Sequence, residues 1–329
     1  MYHPRLKGNH YDMGRHYGEL LAKSGVDLSP AIIIPEQQVV FGLSCLPIYE
    51  QHLPGIMQEV RGLADGLGQR YEAVACWLFA LYCFESDHGC SVFAVHSGEH
   101  TYFGRNMDMF PEYKKTSESV LYIPENQNIF LAHSTAMICV EDGMNEHGLA
   151  AALTFLLPKT VKPGINGGFL IRLILEECKT AEEAARLLQK IPISSAHNIV
   201  VADSMGEMFV AECTVEQVSV RWCEKYVAAT NHFITSKMQQ YNAEDENWYQ
   251  TRDRLATLES VLADEHMTFD LGFYSGRLAL GGNGTAAGNL FCSECSEEKE
   301  GQKTGWRLWN RGHVSWYVFR HCTRRGDME

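Results

Sequence analysis

Positive charge is scarce in this chain. Its 28 Lys and Arg stand against 41 Asp and Glu, for a formal net charge of −13, and the cations are scattered. Nucleic-acid binding needs clustered cations to displace counterions, so that class of partner is excluded. Long apolar runs are also missing. The longest, Ala73 to Phe84, is too short to span a bilayer and reads as a buried helix, so no membrane partner is expected. The opening MYHPRLKGNHYDMG has no apolar h-region, and no secretory signal is expected from it. There is no internal repeat of solenoid length. The glycine-rich stretch Gly281 to Gly288 lacks the GK[ST] closure and following helix pattern of a phosphate loop. Cys292-Ser293-Glu294-Cys295 is a CxxC without a second ligand pair, which predicts no zinc site. No metal or cofactor is expected.

What is present describes a well-packed enzyme-sized chain. At 329 residues and 45% hydrophobic content it can bury one large core or two closely packed ones. Eleven cysteines without a signal segment point to reduced thiols in a cytoplasm. Cys76, Cys83, Cys139, Cys178 and Cys213 fall inside apolar patterns and read as small buried hydrophobes.

The first 85 or so residues read as mostly helical. Asn9 or Asp12 can cap a helix whose apolar face carries Met13, Tyr17, Leu20 and Leu21. Ala31 to Leu46, with Pro35 and several β-branched residues, fits no single pattern. His52 to Leu67 has apolar residues at helical spacing and a glycine stop, and Tyr71 to Cys83 is a second, more buried helix. Strands follow: Val120–Ile123, Ile129–Ala132, Ala136–Val140 and Leu149–Phe155, with Asp142 to Gly148 as a turn between the last two. Phe169–Cys178 and a helix opened by the capping box Thr180-Ala181-Glu182-Glu183 come next. A second strand block covers Ile199–Asp203, Glu207–Cys213, Val218–Arg221 and Tyr226–Thr230. Trp248–Leu262 is helical, and Glu294–Thr304 is a charged, exposed connection. Arg307–Phe319 alternates as a closing strand pair. Two strand blocks, each accompanied by helices, predict a layered α+β fold rather than a parallel βαβ succession.

The chemistry concentrates in Glu85 to Met109. The alternating runs Ser91–Val95 and Tyr102–Asn106 flank His96-Ser97-Gly98-Glu99-His100 and predict a hairpin. Gly89-Cys90 stands at one end of it, and Arg105, Asn106 and Asp108 at the other. Antiparallel pairing brings those ends together. A thiol becomes a nucleophile when a nearby cation or base raises its thiolate fraction. Further on, Asn231 and Arg252 are candidate polar groups for the same site.

Gly89-Cys90-Ser91 followed by Gly104-Arg105-Asn106-Met107-Asp108 resembles the isopenicillin-N acyltransferase family of N-terminal-nucleophile (Ntn) hydrolases. Tyr11 to Gly18, Glu59 to Gly66, Gly143 to Leu149, Ala202 to Glu207 and Thr230 to Phe233 are similar to further family motifs, in the family's order. The resemblance implies a four-layer αββα sandwich of two antiparallel sheets between helical layers. It implies a helical prosegment, residues 1–89, and a catalytic chain, residues 90–329, made by self-cleavage at Gly89–Cys90. Cys90 would then be nucleophile and, through its freed α-amino group, base. Asp108 would orient that amine, Arg105 would favour the thiolate, Asn231 would donate to the oxyanion, and Arg252 would bind substrate, with Arg254 an equal claimant by position. The implied partner is a small-molecule linear amide or acyl donor, and a homo-oligomer is compatible with this.

Two other readings compete. A papain-like protease would pair Cys90 with His147, His197 or His232, and needs the cysteine at the start of a helix. An uncleaved, inactive relative would serve as a small-molecule binding protein.

Overall fold

The computed structural model describes residues 3–84, 89–97, 100–108, 116–243 and 247–264, and the backbone of 289–292, 307–310 and 314–320. Glu85 to His88, Gly281 to Gly288, Glu294 to Thr304 and Cys295 lie outside the described residues.

After a short strand β1 (Arg5–Gly8), four helices follow: α1 (His10–Lys23), α2 (Glu36–His52), α3 (Pro54–Leu67) and α4 (Tyr71–Ala80). Asn9 caps α1 by accepting from the backbone N–H of Asp12, which is where a first-turn donor has no helical partner. The segment around Pro35 resolves as α2, with Pro35 as its N-cap. Gly68 ends α3 in the left-handed conformation, φ 65°. α1 and α3 cross at backbone contact because their facing positions are glycine. A Cβ on Gly14 would lie 2.0 Å from the carbonyl oxygen of Glu59, and one on Gly62 would lie 2.1 Å from that of Tyr11.

The strands form two main sheets. The larger runs β1-β4-β5-β6-β7-β8-β9-β10, from β4 (Glu118–Pro124), β5 (Phe130–Ser134), β6 (Asp142–Asn145), β7 (Ala150–Phe155), β8 (His197–Ala202), β9 (Met208–Cys213) and β10 (Val218–Trp222). Its pairings are antiparallel except β1 with β4, which is parallel. The smaller runs β11-β2-β3-β14, from β2 (Gly89–Ser97), β3 (His100–Asp108), β11 (Tyr226–Ala229) and β14 (Val314–Arg320). β12 (Asn289–Cys292) pairs separately with β13 (Arg307–Asn310).

Period-two alternation explains the stacking. In β7, Ala151, Leu153 and Phe155 belong to the core shared with the helices, whereas Ala150 and Ala152 belong to the core shared with Val92, Ala94 and Phe103 of the smaller sheet. The opposite face of the smaller sheet, Phe93, Val95 and Ala228, packs on Leu255, Leu258 and Leu262 of α7 (Thr251–Leu262). The order is therefore helix, sheet, sheet, helix. It is the four-layer α+β sandwich expected. The first layer includes α5 (Gly167–Glu177), capped by Asn166, and α6 (Ala181–Leu188), capped by Thr180.

Three local expectations are corrected. Ala136–Val140 is not a strand; the strand is Asp142–Asn145, which pairs with β5 and β7, and the turn is confined to the residues after it. Asn145 makes the reversal, since its Oδ1 accepts from the N–H groups of His147 and Leu149. Arg307–Phe319 is not one hairpin, because β13 pairs with β12 and β14 with β3. Trp248–Gln250 is a 3-10 turn separated from α7 by left-handed backbone at Tyr249 and Gln250.

Candidate active site

Cys90 is the second residue of β2, fully buried, in register with Met107 of β3. The hairpin returns Arg105 to it as the spacing predicts: Arg105 Nη2 donates to Cys90 Sγ at 3.3 Å. Arg105 is 2% exposed and held from three sides. Its Nε donates to the Leu153 carbonyl at 3.1 Å, its Nη1 to Asp142 Oδ2 at 3.0 Å, and its Nη2 also reaches Met107 Sδ at 3.4 Å. Burial works against the guanidinium charge, but Cys90 and Asp142 more than offset it, so Arg105 is a fixed cation. Burial holds the Cys90 thiol above its ordinary value; Arg105 and Arg254 pull it down without cancelling the rise, to which Asp108 adds.

The Cys90 N–H donates to Asn231 Oδ1 at 2.9 Å. Asn231 Nδ2 donates to the Phe155 carbonyl at 2.7 Å, and its backbone N–H donates to Thr251 Oγ1 at 2.8 Å. Donors from Cys90 and Arg254 on its oxygen and a carbonyl on its nitrogen fix the amide orientation. In this geometry Asn231 presents its oxygen to Cys90, while its nitrogen is engaged with Phe155.

Arg254 completes the cluster. Its Nη1 donates to the Cys90 carbonyl and to Ser91 Oγ, both at 2.7 Å, and its Nη2 to Asn231 Oδ1 at 2.6 Å. The same Nη1 lies 3.6 Å from Asp108 Oδ2. Asp108 Oδ1 accepts from Asn106 Nδ2 at 2.5 Å. Burial raises the Asp108 carboxyl against the pull of Arg254. Gly89 sits among these groups: a Cβ there would lie 3.1 Å from Arg254 Nη2 and 3.3 Å from Asp108 Oδ2. A side chain at position 89 would crowd both.

Of the residues chosen from sequence, Cys90, Arg105, Asp108 and Asn231 come together. Arg252 does not join them. It is exposed on α7, and Arg254 is the arginine that reaches Cys90. The two stand in similar sequence, and only the kink at Tyr249 and Gln250, which starts α7 at Thr251, decides which one points inward. Asp142 is the residue that sequence reasoning missed, because the stretch holding it reads as a turn.

The three histidines of the protease reading are engaged elsewhere or isolated. His147 Nε2 pairs with Asn128 Oδ1 at 3.0 Å, His232 Nδ1 with Thr251 Oγ1 at 2.9 Å, and His197 is buried without a side-chain hydrogen-bond partner among the described residues. Cys90 begins a strand rather than a helix. A cleft opens beside Asn231, lined by Leu156, Leu157, His232, Asn242, Ala243 and Trp248.

Among the described residues, one group has metal-ligand types: His10, Glu59 and Glu176. The Arg172 guanidinium already lies between its carboxylates, 2.6 Å from Glu59 and 2.5 Å from Glu176. No helix among the described residues is long and apolar enough to cross a membrane.

Two sheets between helical layers define the fold class of the chain. Residues 95–269 match the acyl-coenzyme A:6-aminopenicillanic acid acyl-transferase family, and the chain belongs to that family. Among solved structures it is similar to a penicillin V acylase from Agrobacterium tumefaciens, at 19% identity and a TM-score of 0.36, over 53% of this chain and 64% of that one. It is also similar to a mutant of a conjugated bile acid hydrolase from Clostridium perfringens, at 19% identity and a TM-score of 0.36, over 56% of this chain and 62% of that one. The chain thus spans less than two thirds of the length of each. No curated protein matches it.

Proposed function

We propose that the protein is a cysteine amidase or acyltransferase of the Ntn type, made active by cutting its own Gly89–Cys90 bond and acting on linear, non-peptide C–N amides. The observation that carries this is the pair of contacts on Cys90: the sulfur on the fixed cation Arg105, and the nitrogen on Asn231 Oδ1. Self-cleavage begins with attack of Sγ on the Gly89 carbonyl carbon. The Cys90 amide nitrogen leaves, taking the thiol proton, and a thioester remains. Water hydrolyses it to the Gly89 carboxylate, the free thiol and the α-amine. That amine has an ordinary pKa near 8, so a useful fraction is neutral at pH 7 and accepts the thiol proton.

In turnover the thiolate attacks the substrate carbonyl, and the α-ammonium returns its proton to the departing amine. The acyl group on Sγ passes to water in hydrolysis, or to a second amine in transfer. Asn231 Oδ1, already on the Cys90 nitrogen, orients the amine, with Asp108 beside Gly89 as a second acceptor. Asn231 donates to the oxyanion only on releasing the Phe155 carbonyl, a contact typically worth about 3 kcal/mol in such sites. Arg254 anchors the Cys90 carbonyl and takes the substrate-side role first assigned to Arg252. Residues 1–89 remain docked through the Glu59–Arg172 pair. The eight cysteines described are all free, which suits a reducing cytoplasm.

Intact-mass spectrometry tests this. Two fragments meeting at Gly89–Cys90 are expected, with one unbroken chain for Cys90→Ala. A single unbroken species from the wild type, with no labelling of Cys90 by an amide-derived electrophile, refutes the proposal in favour of a binding protein.

A further inference from the structure

Behind Arg105 lies a buried charge chain that the reaction as written does not use. Asp142 Oδ2 accepts from Arg105 Nη1 at 3.0 Å, and His133 Nδ1 lies 3.5 Å from that same oxygen and 3.5 Å from Glu141 Oε2. His133 Nε2 shares a hydrogen bond with Ser117 Oγ at 2.7 Å. His133, Glu141, Asp142 and Arg105 are each 2% exposed or less.

We propose that Asp142 and His133 are positioning residues for Cys90: Asp142 holds Arg105 against the sulfur, and the proton of His133 balances Asp142 so that the charge of Arg105 is left for the thiolate. The inference rests on Cys90 being the reacting group. With His133 protonated, two cations face two carboxylates, so forming the thiolate brings the cluster to one net negative charge. With His133 neutral, Arg105 alone faces Asp142, Glu141 and the thiolate. Buried charges left unpaired are costly, so the thiol then keeps its proton more readily.

Among the described residues, charged and polar groups face His133 from several elements. They are Glu141 and Asp142 on one side, Arg105 from β3, and Ser117 and Glu118 at the start of β4. Glu141 is itself tied by donation from Tyr82 OH and by Thr135 Oγ1 at 2.7 Å. Burial opposes a proton on His133, but the contact to Asp142 and the two carboxylate charges raise it above the ordinary histidine value. His133 stands three contacts from Sγ, through Asp142 and Arg105, at a separation on the order of 10 Å. At an effective dielectric near 20, one charge at that range changes the thiolate population about tenfold.

The test follows the alkylation rate of Cys90 by iodoacetamide against pH, read by peptide mass spectrometry so that the other thiols do not interfere. His133→Asn keeps a neutral donor toward Asp142 and removes the charge. About tenfold slower labelling is expected at low pH, converging on the wild-type rate once wild-type His133 has lost its proton. A packing defect would instead offset the rate at every pH. In the unmutated protein, histidine NMR should show His133 titrating at higher pH when Cys90 carries a carboxymethyl group than when it carries the neutral carbamidomethyl group, since coupling is reciprocal. Superimposable alkylation profiles, or identical His133 titrations for the two adducts, overturn the proposal. A Cys90 that takes no label at any pH overturns the nucleophile assignment itself, which is a separate failure.

Discussion

Removing Glu59 tests how the N-terminal helices are held on the sheets. Glu59 of α3 and Arg172 of α5 are both fully buried, with Arg172 Nη2 2.6 Å from Glu59 Oε2. Arg172 also donates to Glu176 at 2.5 Å and lies over the Tyr122 ring at 4.0 Å. Glu59→Ala leaves the guanidinium buried with one carboxylate in place of two and opens a void at a close helix crossing. Breaking a buried ion pair from one side costs about 3–5 kcal/mol, a fifth or more of the roughly 5–15 kcal/mol by which a protein is stable. At about 2–4 °C per kcal/mol for a chain this large, the melting temperature should fall by roughly 6–20 °C. Calorimetry and urea unfolding followed by circular dichroism at pH 7 measure it. If the protein cleaves at Gly89–Cys90, the fragment 1–89 should also leave at lower urea than in the wild type. A loss below about 1 kcal/mol would refute the reasoning, because it would mean that the pair is solvated or that Arg172 is satisfied without it.

Three further outcomes are expected. Gly14→Ala places a methyl 2.0 Å from the Glu59 carbonyl oxygen, and since backbone cannot yield as a side chain does, urea unfolding should show a loss of about 3 kcal/mol or more. Glu118 is raised to about 7 by burial, against the pull of His133. The unfolded chain gives up that proton near the ordinary glutamate value and the folded one does not. Stability is therefore lost as pH rises from there to about 7 and stays lost above it, so Glu118→Gln should stabilise by about 3 kcal/mol at pH 8 and by little at pH 4. Arg254→Met removes the contacts to the Cys90 carbonyl, Ser91 and Asn231 and should slow processing at Gly89–Cys90 about a hundredfold, whereas Arg252→Met should leave it within a factor of about two; equal effects in the two variants would contradict the placement of Arg254.

What could be read from the chain divides by the range of the interaction that decides it. The Cys90–Arg105 contact is local in the sheet sense: two alternating runs and a small polar turn fix a register, and a register places Val92 opposite Arg105 and Cys90 opposite Met107. The helix caps at Asn9 and Thr180 are equally local, because each needs only an oxygen within three residues of an unpaired N–H. Asp142 was hidden for the opposite reason. DGMNEHG has turn composition throughout, and its first four residues become a strand only because β5 and β7 flank them and supply both ladders, a tertiary preference that overrides the local one. The choice of Arg254 over Arg252 is of the same kind. Two residues on a helix point about 200° apart, so the inward one is set by where α7 starts, and that start depends on left-handed backbone at Tyr249 and Gln250, neither of them glycine. Such backbone costs free energy in isolation and persists where surrounding contacts enforce it. Here Arg254 Nε donates to the Tyr249 carbonyl at 2.8 Å, so the kink that turns Arg254 toward Cys90 is in part held by Arg254 itself.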